Sequence, residues 1–369
     1  MLKNLNIKNY RTFRNFTLDS VARVNLIVGD NNSGKSSLLE AIYLLTSEGS
    51  TDALFNILYE RGEFVLTSSD FRYDRVAQGE YQVAHIFHGH HLKSDQFAKI
   101  KSNQSRSGSE AYLKISFKEE PRQLALLSEG IDEAPNDDQS WVLELEYVEE
   151  GSDGNRRTLH ISEDGLLPHR RRPLPKKYSS PEQKSRFITT NFLGYDELAV
   201  LWDNITLTPR EDKVVEALKI LEPRVERISF TSRQTSNSGI LLKLEGETEP
   251  IPLGSMGDGM RRILAVAASL VSVENGTLLV DEIDTGLYYG ALTDMWRLIL
   301  ETAGARNAQV FATTHSWDCV RSFQEALQNF PDQDMGLLIR LERRQHHIQP
   351  ISYSKDELDI AIQQDIEVR

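Results

Sequence analysis

The run Gly29-Asp30-Asn31-Asn32-Ser33-Gly34-Lys35-Ser36 has the spacing G-x-x-x-x-G-K-[ST] in full. Those residue types suit a chain of phosphates. Glycine lets the backbone wrap an anion with no Cβ in the way. Successive N–H groups and the start of the following helix then face the negative charge. Gly29, Asn31, Asn32, Ser33, Gly34, Lys35, Ser36 and Ser37 are therefore the candidate nucleotide contacts. Lys35 is expected to reach the β- and γ-phosphates, and Ser36 to ligate Mg²⁺. Far downstream, the apolar stretch Thr277-Leu278-Leu279-Val280 ends in Asp281-Glu282. Asp281 is expected to join Ser36 in holding Mg²⁺, and Glu282 to polarise the attacking water as general base. Together the two motifs call for ATP and Mg²⁺ as cofactors and for phosphoryl transfer to water.

Such groups need rigid elements behind them. Val24–Val28 reads as a short buried strand, and Leu38, Leu39, Ala41, Ile42, Leu44 and Leu45 recur at helical spacing, so strand, loop and helix follow in order. Leu5, Ile7, Phe16 and Leu18 alternate as hairpin or edge strands do. From about Gly62 to Arg186 the texture changes. Tyr81–His85, Ala111–Phe117, Trp141–Val148 and Arg157–Ile161 alternate like strands between polar loops. Residues 63–185 are read as an inserted β-rich subdomain, and 1–62 with 186–369 as one α/β head. The insert has no heptad pattern, so it is not a coiled-coil arm. In the second half a helix is expected at Lys213–Ile220 and strands at Val225–Phe230 and Ile240–Leu244. A helix at Arg261–Val273 follows, then strands at Leu278–Val280 and Val310–Thr313 and a last one at Gly336–Leu341.

The chain has 369 residues, 39% hydrophobic and 26% charged, which suits a soluble globular protein with its own core. The one cysteine, Cys319, rules out an internal disulfide and fits a reducing compartment. The N-terminus lacks a signal-peptide core, and the longest apolar run, near Ile263–Val273, is shorter than the roughly 20 residues of a bilayer span. A cytoplasmic protein without a membrane partner is expected. The net charge of −13 argues against generic binding to nucleic acid, though local basic patches remain available.

Ser255-Met256-Gly257-Asp258-Gly259, just before the Arg261–Val273 helix, resembles the signature loop of the ABC ATPase superfamily, in its SMC/RecF/OLD-like branch. With IKNYRTFRNF, DEIDTGL, ATTHS and the ending IEVR, it makes the chain similar to AAA_15/AAA_21-type bacterial ATPases related to OLD proteins, over residues 1–60 and about 187–369. The resemblance implies a P-loop ABC-type ATPase head with a mixed sheet. It implies that Ser255 and Gly257 cap a γ-phosphate held by a second subunit, so that the heads close as a homodimer. It also implies that His315, in Phe311-Ala312-Thr313-Thr314-His315-Ser316, contacts the γ-phosphate and that Asp284 crosses the dimer interface. Lys35, Glu282 and His315 are then the catalytic residues. A role in DNA-linked processes or antiphage defence follows, beside a separately encoded nuclease or other effector.

Departures from the pattern are informative. Neither Gln78 nor Gln82 can be assigned as the glutamine of a Q-loop, and Tyr288 stands where histidine is frequent. Nuclease members carry a Toprim domain, for which the 54 residues after His315 leave no room; Asp332-Gln333-Asp334 is read as a solvated loop. His85, His88, His90 and His91 are dense enough to suggest a metal, but without a cysteine or acidic partner they are read as strand-end histidines. His169–Lys177 is basic and broken by proline, a linker that could touch DNA or an acidic partner. A transporter head is disfavoured by the 220 residues between Lys35 and Ser255, and a GTPase by the lack of N-K-x-D. A non-hydrolysing scaffold would have no use for Glu282.

Overall fold

The computed structural model describes residues 1–66, 79–103, 110–121, 139–151, 154–162, 165–168, 184–191, 193–231, 239–345 and 347–369. At its centre is a six-stranded sheet. In spatial order its strands are β11 (Ser185–Ile188), β15 (Thr277–Val280), β16 (Gln309–Thr313), β3 (Val24–Val28), β17 (Gly336–Arg344) and β18 (His347–Tyr353). Pairing is parallel from β11 through β17, and β18 is antiparallel at the edge. Strands β3, β15 and β16 are buried at every position, as parallel strands covered on both faces must be. Alternate side chains divide between two cores. Ile27, Leu279 and Phe311 face α1 (Lys35–Thr46), whereas Leu26, Leu278 and Val310 face α6 (Tyr289–Arg306), α7 (Trp317–Leu327) and α8 (Lys355–Gln363).

A second six-stranded sheet, antiparallel throughout, has the order β2 (Phe13–Leu18), β1 (Leu5–Tyr10), β6 (Gln96–Asn103), β7 (Glu110–Pro121), β8 (Gln139–Glu149) and β9 (Asn155–Ile161). Strand β1 bonds to β2 on one side and β6 on the other, so the β-rich middle of the chain continues the N-terminal hairpin. Its inner face, with Ile7, Ile100, Leu113 and Leu145, packs on α1 and α2 (Thr51–Glu60). A small sheet of β10 (Leu166–Pro168), β5 (Gly79–Gln82) and β4 (Phe64–Leu66) adjoins it. A third core joins α3 (Tyr195–Asp203), α4 (Pro209–Lys219) and α5 (Asp258–Ser272) to β12 (Val225–Thr231), β13 (Gly239–Leu244) and β14 (Ile251–Pro252).

Several elements differ from the sequence reading. Gly336–Leu341 is not the last strand: β18 and α8 follow it, the helix opened by a capping box of Ser354 and Glu357. The strand at Tyr81 ends at Gln82 and tightens into a 3₁₀ turn over Val83–Ile86. His90 has φ 60°, so His88 and His90 do not share a strand face. Helix α5 begins at Asp258 rather than Arg261, because Gly257 at φ 88° turns the chain into it.

Candidate functional site

The four parallel strands β11, β15, β16 and β3 deliver their following residues to one edge, the carboxyl ends where open α/β sheets bind ligands. Strand β3 is followed by Gly29–Ser36, β16 by Thr314 and His315, β15 by Asp281 and Glu282, and β11 by Thr189–Asn191. The loop after β3 is a backbone cradle. Gly29 and Gly34 have φ 140° and 96°, and a Cβ on Gly29 would stand 2.5 Å from Leu341 O. Asn31 and Asn32 are exposed, Ser36 is half-buried, and Ser33, Lys35 and Ser37 are buried. Ser33 Oγ finds no hydrogen-bond partner among the described residues. The first-turn amides of α1 likewise have no partner within the helix. Lys35 Nζ donates to Gly29 O at 2.8 Å and Asp30 O at 2.9 Å, folded back onto its own loop. Burial lowers the pKa of Lys35, against the pull of Asp281, Glu282 and Asp30. A bound triphosphate offers this ammonium the anionic partners that two neutral carbonyls do not.

Two hydroxyls hold Asp281. Ser36 Oγ donates to Oδ2 at 2.7 Å, joining the loop after β3 to the end of β15. Thr313 Oγ1 donates to Oδ1 at 2.5 Å and accepts from Glu282 N at 2.8 Å. Ser36 and Asp281 form a hard oxygen pair that fits Mg²⁺, an ion that keeps few protein ligands and completes its shell with water and phosphate. Glu282 is half-buried with φ 50°, a left-handed conformation that costs a non-glycine residue about 1–3 kcal/mol. Its backbone is held at both ends, the N–H by Thr313 and the carbonyl by Arg262 Nη2 at 2.8 Å. The same guanidinium donates to Asp281 O, and to Thr189 O at 3.2 Å. Arg262 is 1% exposed, and burial lowers its pKa while Asp281, Asp284 and Glu282 oppose the shift. No motif points to Arg262. Its i+4 spacing from Asp258 marks only a helical position, and the carbonyls it serves lie 19, 20 and 73 residues away.

The remaining positions surround this centre. Asp284 accepts from Thr314 Oγ1 at 2.6 Å, and Ser316 caps α7 so that His315 is left exposed between strand and helix. Ser255 and Gly257 are exposed, and no hydrogen bond or ion pair among the described residues joins them to the loop after β3. Gly259 is pressed against the turn after Glu282: a Cβ there would meet Gly286 O at 2.5 Å. Next to Ser36 and Asp281 lies a cavity of about 400 Å³ lined by Glu40, Arg61, Thr189 and Asn191 among others. Gln82 does not line it, and Gln78 lies outside the described residues, as does His169–Lys177. Behind the cavity, Arg11 on the β1–β2 turn pairs with Glu40 at 2.6 Å and Glu63 at 2.7 Å, and Arg61 pairs with Glu40 at 2.5 Å. This network anchors α1, the helix that carries Ser36, to the second sheet.

The lesser clusters are placed elsewhere. His85 Nδ1 lies 3.3 Å from His90 Nδ1, and His88 Nδ1 lies 2.9 Å from Arg11 O. Asp332 caps the short turn Gln333–Met335.

Comparison with known proteins places this geometry in a family. The AAA_21 family, "AAA domain, putative AbiEii toxin, Type IV TA system", matches residues 24–318, from β3 through the start of α7. The chain belongs to this family. An "ATP/GTP phosphatase" of Helicobacter pylori is similar along 97% of both chains at 21% identity. The DNA replication and repair protein RecF of Idiomarina loihiensis is 50% identical over 44 residues, 12% of each chain. Among solved structures, the Smc head domain with an extended coiled coil bound to the C-terminal domain of ScpA, derived from Pyrococcus furiosus, superposes with a TM-score of 0.51 at 12% identity, covering 99% of both chains. The chain is thus an AAA_21 P-loop protein by family, with the fold of an ABC-type ATPase head. Among the described residues, no helix is long and apolar enough to cross a membrane.

Proposed function

We propose that this AAA_21 protein hydrolyses ATP with Mg²⁺ and uses the cycle to close and open a homodimer of heads, a switch for a separately encoded effector in DNA-linked or antiphage defence. The observation that carries the reading is the Ser36–Asp281 pair at 2.7 Å, with Glu282 next in sequence and held at both backbone ends. In this reading Gly29, Asn31, Asn32, Ser33, Gly34, Lys35 and Ser37 bind the phosphates, with Lys35 leaving its loop carbonyls for the β,γ oxygens. Ser36 and Asp281 hold Mg²⁺, which neutralises phosphate charge when bound. Glu282 accepts the proton of the attacking water, and His315 contacts the γ-phosphate. Ser255 and Gly257 serve the nucleotide of the second copy, which accounts for their exposure, and Asp284 lies at the dimer seam. Residues 1–62 and 186–369 form the head, and 63–185 is an insertion that continues the sheet of its N-terminal hairpin.

Phosphate release, measured beside nucleotide affinity, tests the enzyme reading. Lys35→Ala should lose binding and turnover. Glu282→Gln should bind normally and lose about 10²–10⁴-fold in rate, the usual worth of a general base. Equal release by wild type and Lys35→Ala would leave the non-hydrolysing scaffold as the better account.

A further inference from the structure

The segment that leaves α8 turns back toward the edge where the candidate site lies. Asp365 has φ 55°, and two bonds close the end of the helix around it: Asp365 N donates to Ile362 O at 3.1 Å, and Ile366 N to Ala361 O at 2.8 Å. This is the Schellman pattern, in which one left-handed residue redirects the chain. Val368 is then buried completely, in the core that also holds residues of β3, β16 and α7. A valine sealed in a close-packed core cannot slide, so the residue after it is placed as well. That residue is Arg369. Its Nε pairs with Glu367, and its Nη1 donates to His315 O at 3.3 Å, across 54 positions of sequence.

The contact falls where the loop after β16 needs a fastening. Thr314 N donates to Ile27 O at 3.1 Å. Thr314 Oγ1 donates to Asp284 at 2.6 Å and accepts from Ser316 N at 2.9 Å. The ladder of α7 begins at Ser316 O, which accepts from Val320 N at 3.2 Å, so the His315 carbonyl lies one residue outside it. His315 O and Ser316 N belong to one rigid peptide plane. Thr314 holds that plane at its N–H and Arg369 at its carbonyl. The His315 imidazole is exposed, and among the described residues no hydrogen bond or ion pair holds it, so the backbone sets its aim.

We infer that Arg369 is a positioning residue for His315, a role that rests on the ATPase reading and deepens it. By holding the His315 carbonyl, Arg369 keeps the peptide plane from tilting and the imidazole directed at the γ-phosphate. Arginine suits the task, because its rigid fork serves a carboxylate and a carbonyl at once. A guanidinium committed to Glu367 and to His315 O is also not offered to phosphate, which favours positioning over direct contact.

The test measures phosphate release by the full chain as wild type, Lys35→Ala, Arg369→Gln, Arg369→Lys, His315→Ala and the double variant Arg369→Gln/His315→Ala. Arg369→Gln should lower kcat about 3- to 10-fold, the worth of one exposed hydrogen bond, with KM close to wild type. Arg369→Lys, which can still donate to the carbonyl, should recover part of the loss. In the His315→Ala background, Arg369→Gln should cost nothing further, because a positioning residue has no effect once its target is gone. Urea unfolding should stay close to wild type in Arg369→Gln, since the side chain is 45% exposed. Earlier unfolding with an unchanged kcat would make Arg369 a support of the fold alone and sink the assignment. Full kcat in Arg369→Gln beside a slowed His315→Ala would overturn it while the ATPase reading stands. Losses that multiply in the double variant would overturn it in favour of direct contact between Arg369 and phosphate. Equal release by wild type and Lys35→Ala would take away both readings together.

Discussion

Replacing Arg262 by methionine removes one guanidinium and leaves three carbonyls, Asp281 O, Glu282 O and Thr189 O, without their donor. The bond to Asp281 O is buried, so losing it costs the full desolvation penalty of an unsatisfied acceptor, about 1–3 kcal/mol. The other two bonds are partly buried, water can reach the carbonyls, and each adds less. Against this stands the cost of burying the guanidinium itself, the largest influence on its lowered pKa, which methionine escapes. The expected net loss is about 2–4 kcal/mol in denaturant unfolding, within the range for breaking buried ionic networks. The kinetic effect is larger in kind. Glu282 keeps its left-handed backbone only while both ends are held, and a carboxylate displaced by about 1 Å can lose 10²-fold in rate. Arg262→Met should therefore lower kcat about 10- to 100-fold while nucleotide affinity stays close to wild type. Arg262→Lys, whose point charge cannot reach three carbonyls, should recover part of the stability and part of kcat. If Arg262→Met unfolds earlier as expected yet keeps its full kcat at a temperature where it is folded, Arg262 only supports the fold and does not position Glu282.

Two further outcomes follow from the same geometry. Mixed chains of Lys35→Ala and Ser255→Arg should recover part of the phosphate release that each lacks alone, since a mixed dimer retains one intact composite site; heterodimers with no recovery would count against the shared site. Burial raises the pKa of Glu144, but its bonds to Lys118 and Arg156 outweigh that and hold it below its ordinary 4.5. Its contribution to stability is thus present above that value and is lost as pH falls through the lower folded value, so the stability gap between wild type and Glu144→Gln should shrink on acidification, as read by urea unfolding from neutral to acid pH.

The phosphate loop was legible because its chemistry is local: two glycines, a lysine and a serine at fixed spacing, entered from an apolar strand and left along a helix with apolar periodicity. The Asp281–Glu282 end of β15 was legible for the same reason. Arg262 was not, because its meaning depends on carbonyls that reach it only when α5 packs beside β15. Thr313 is visible in the ATTHS run, but its grip on Asp281 and on Glu282 N requires β16 to lie next to β15, an order set by crossovers rather than by local pattern. Strand β6 was missed because Lys99 and Lys101 break its apolar signal, and pairing of β1 with β6 joins residues more than 90 positions apart. Helices α6 and α7 were missed because their buried positions are filled from a mixed alphabet: Met295, Trp296 and Thr302 in one, Cys319, Ser322 and Gln324 in the other.

The contact between Gly259 and Gly286 has a consequence for timing. Backbone meets backbone there, with the Leu287 side chain alongside, so the start of α5 and the turn after Glu282 are in direct contact. In the proposed dimer that start of α5 senses the nucleotide of the other chain, while Glu282 acts on the nucleotide of its own. One joint therefore belongs to both events. In that dimer, arrival of a nucleotide on one side would press on the base of the other, and the two hydrolysis steps would be geared together instead of running as independent clocks.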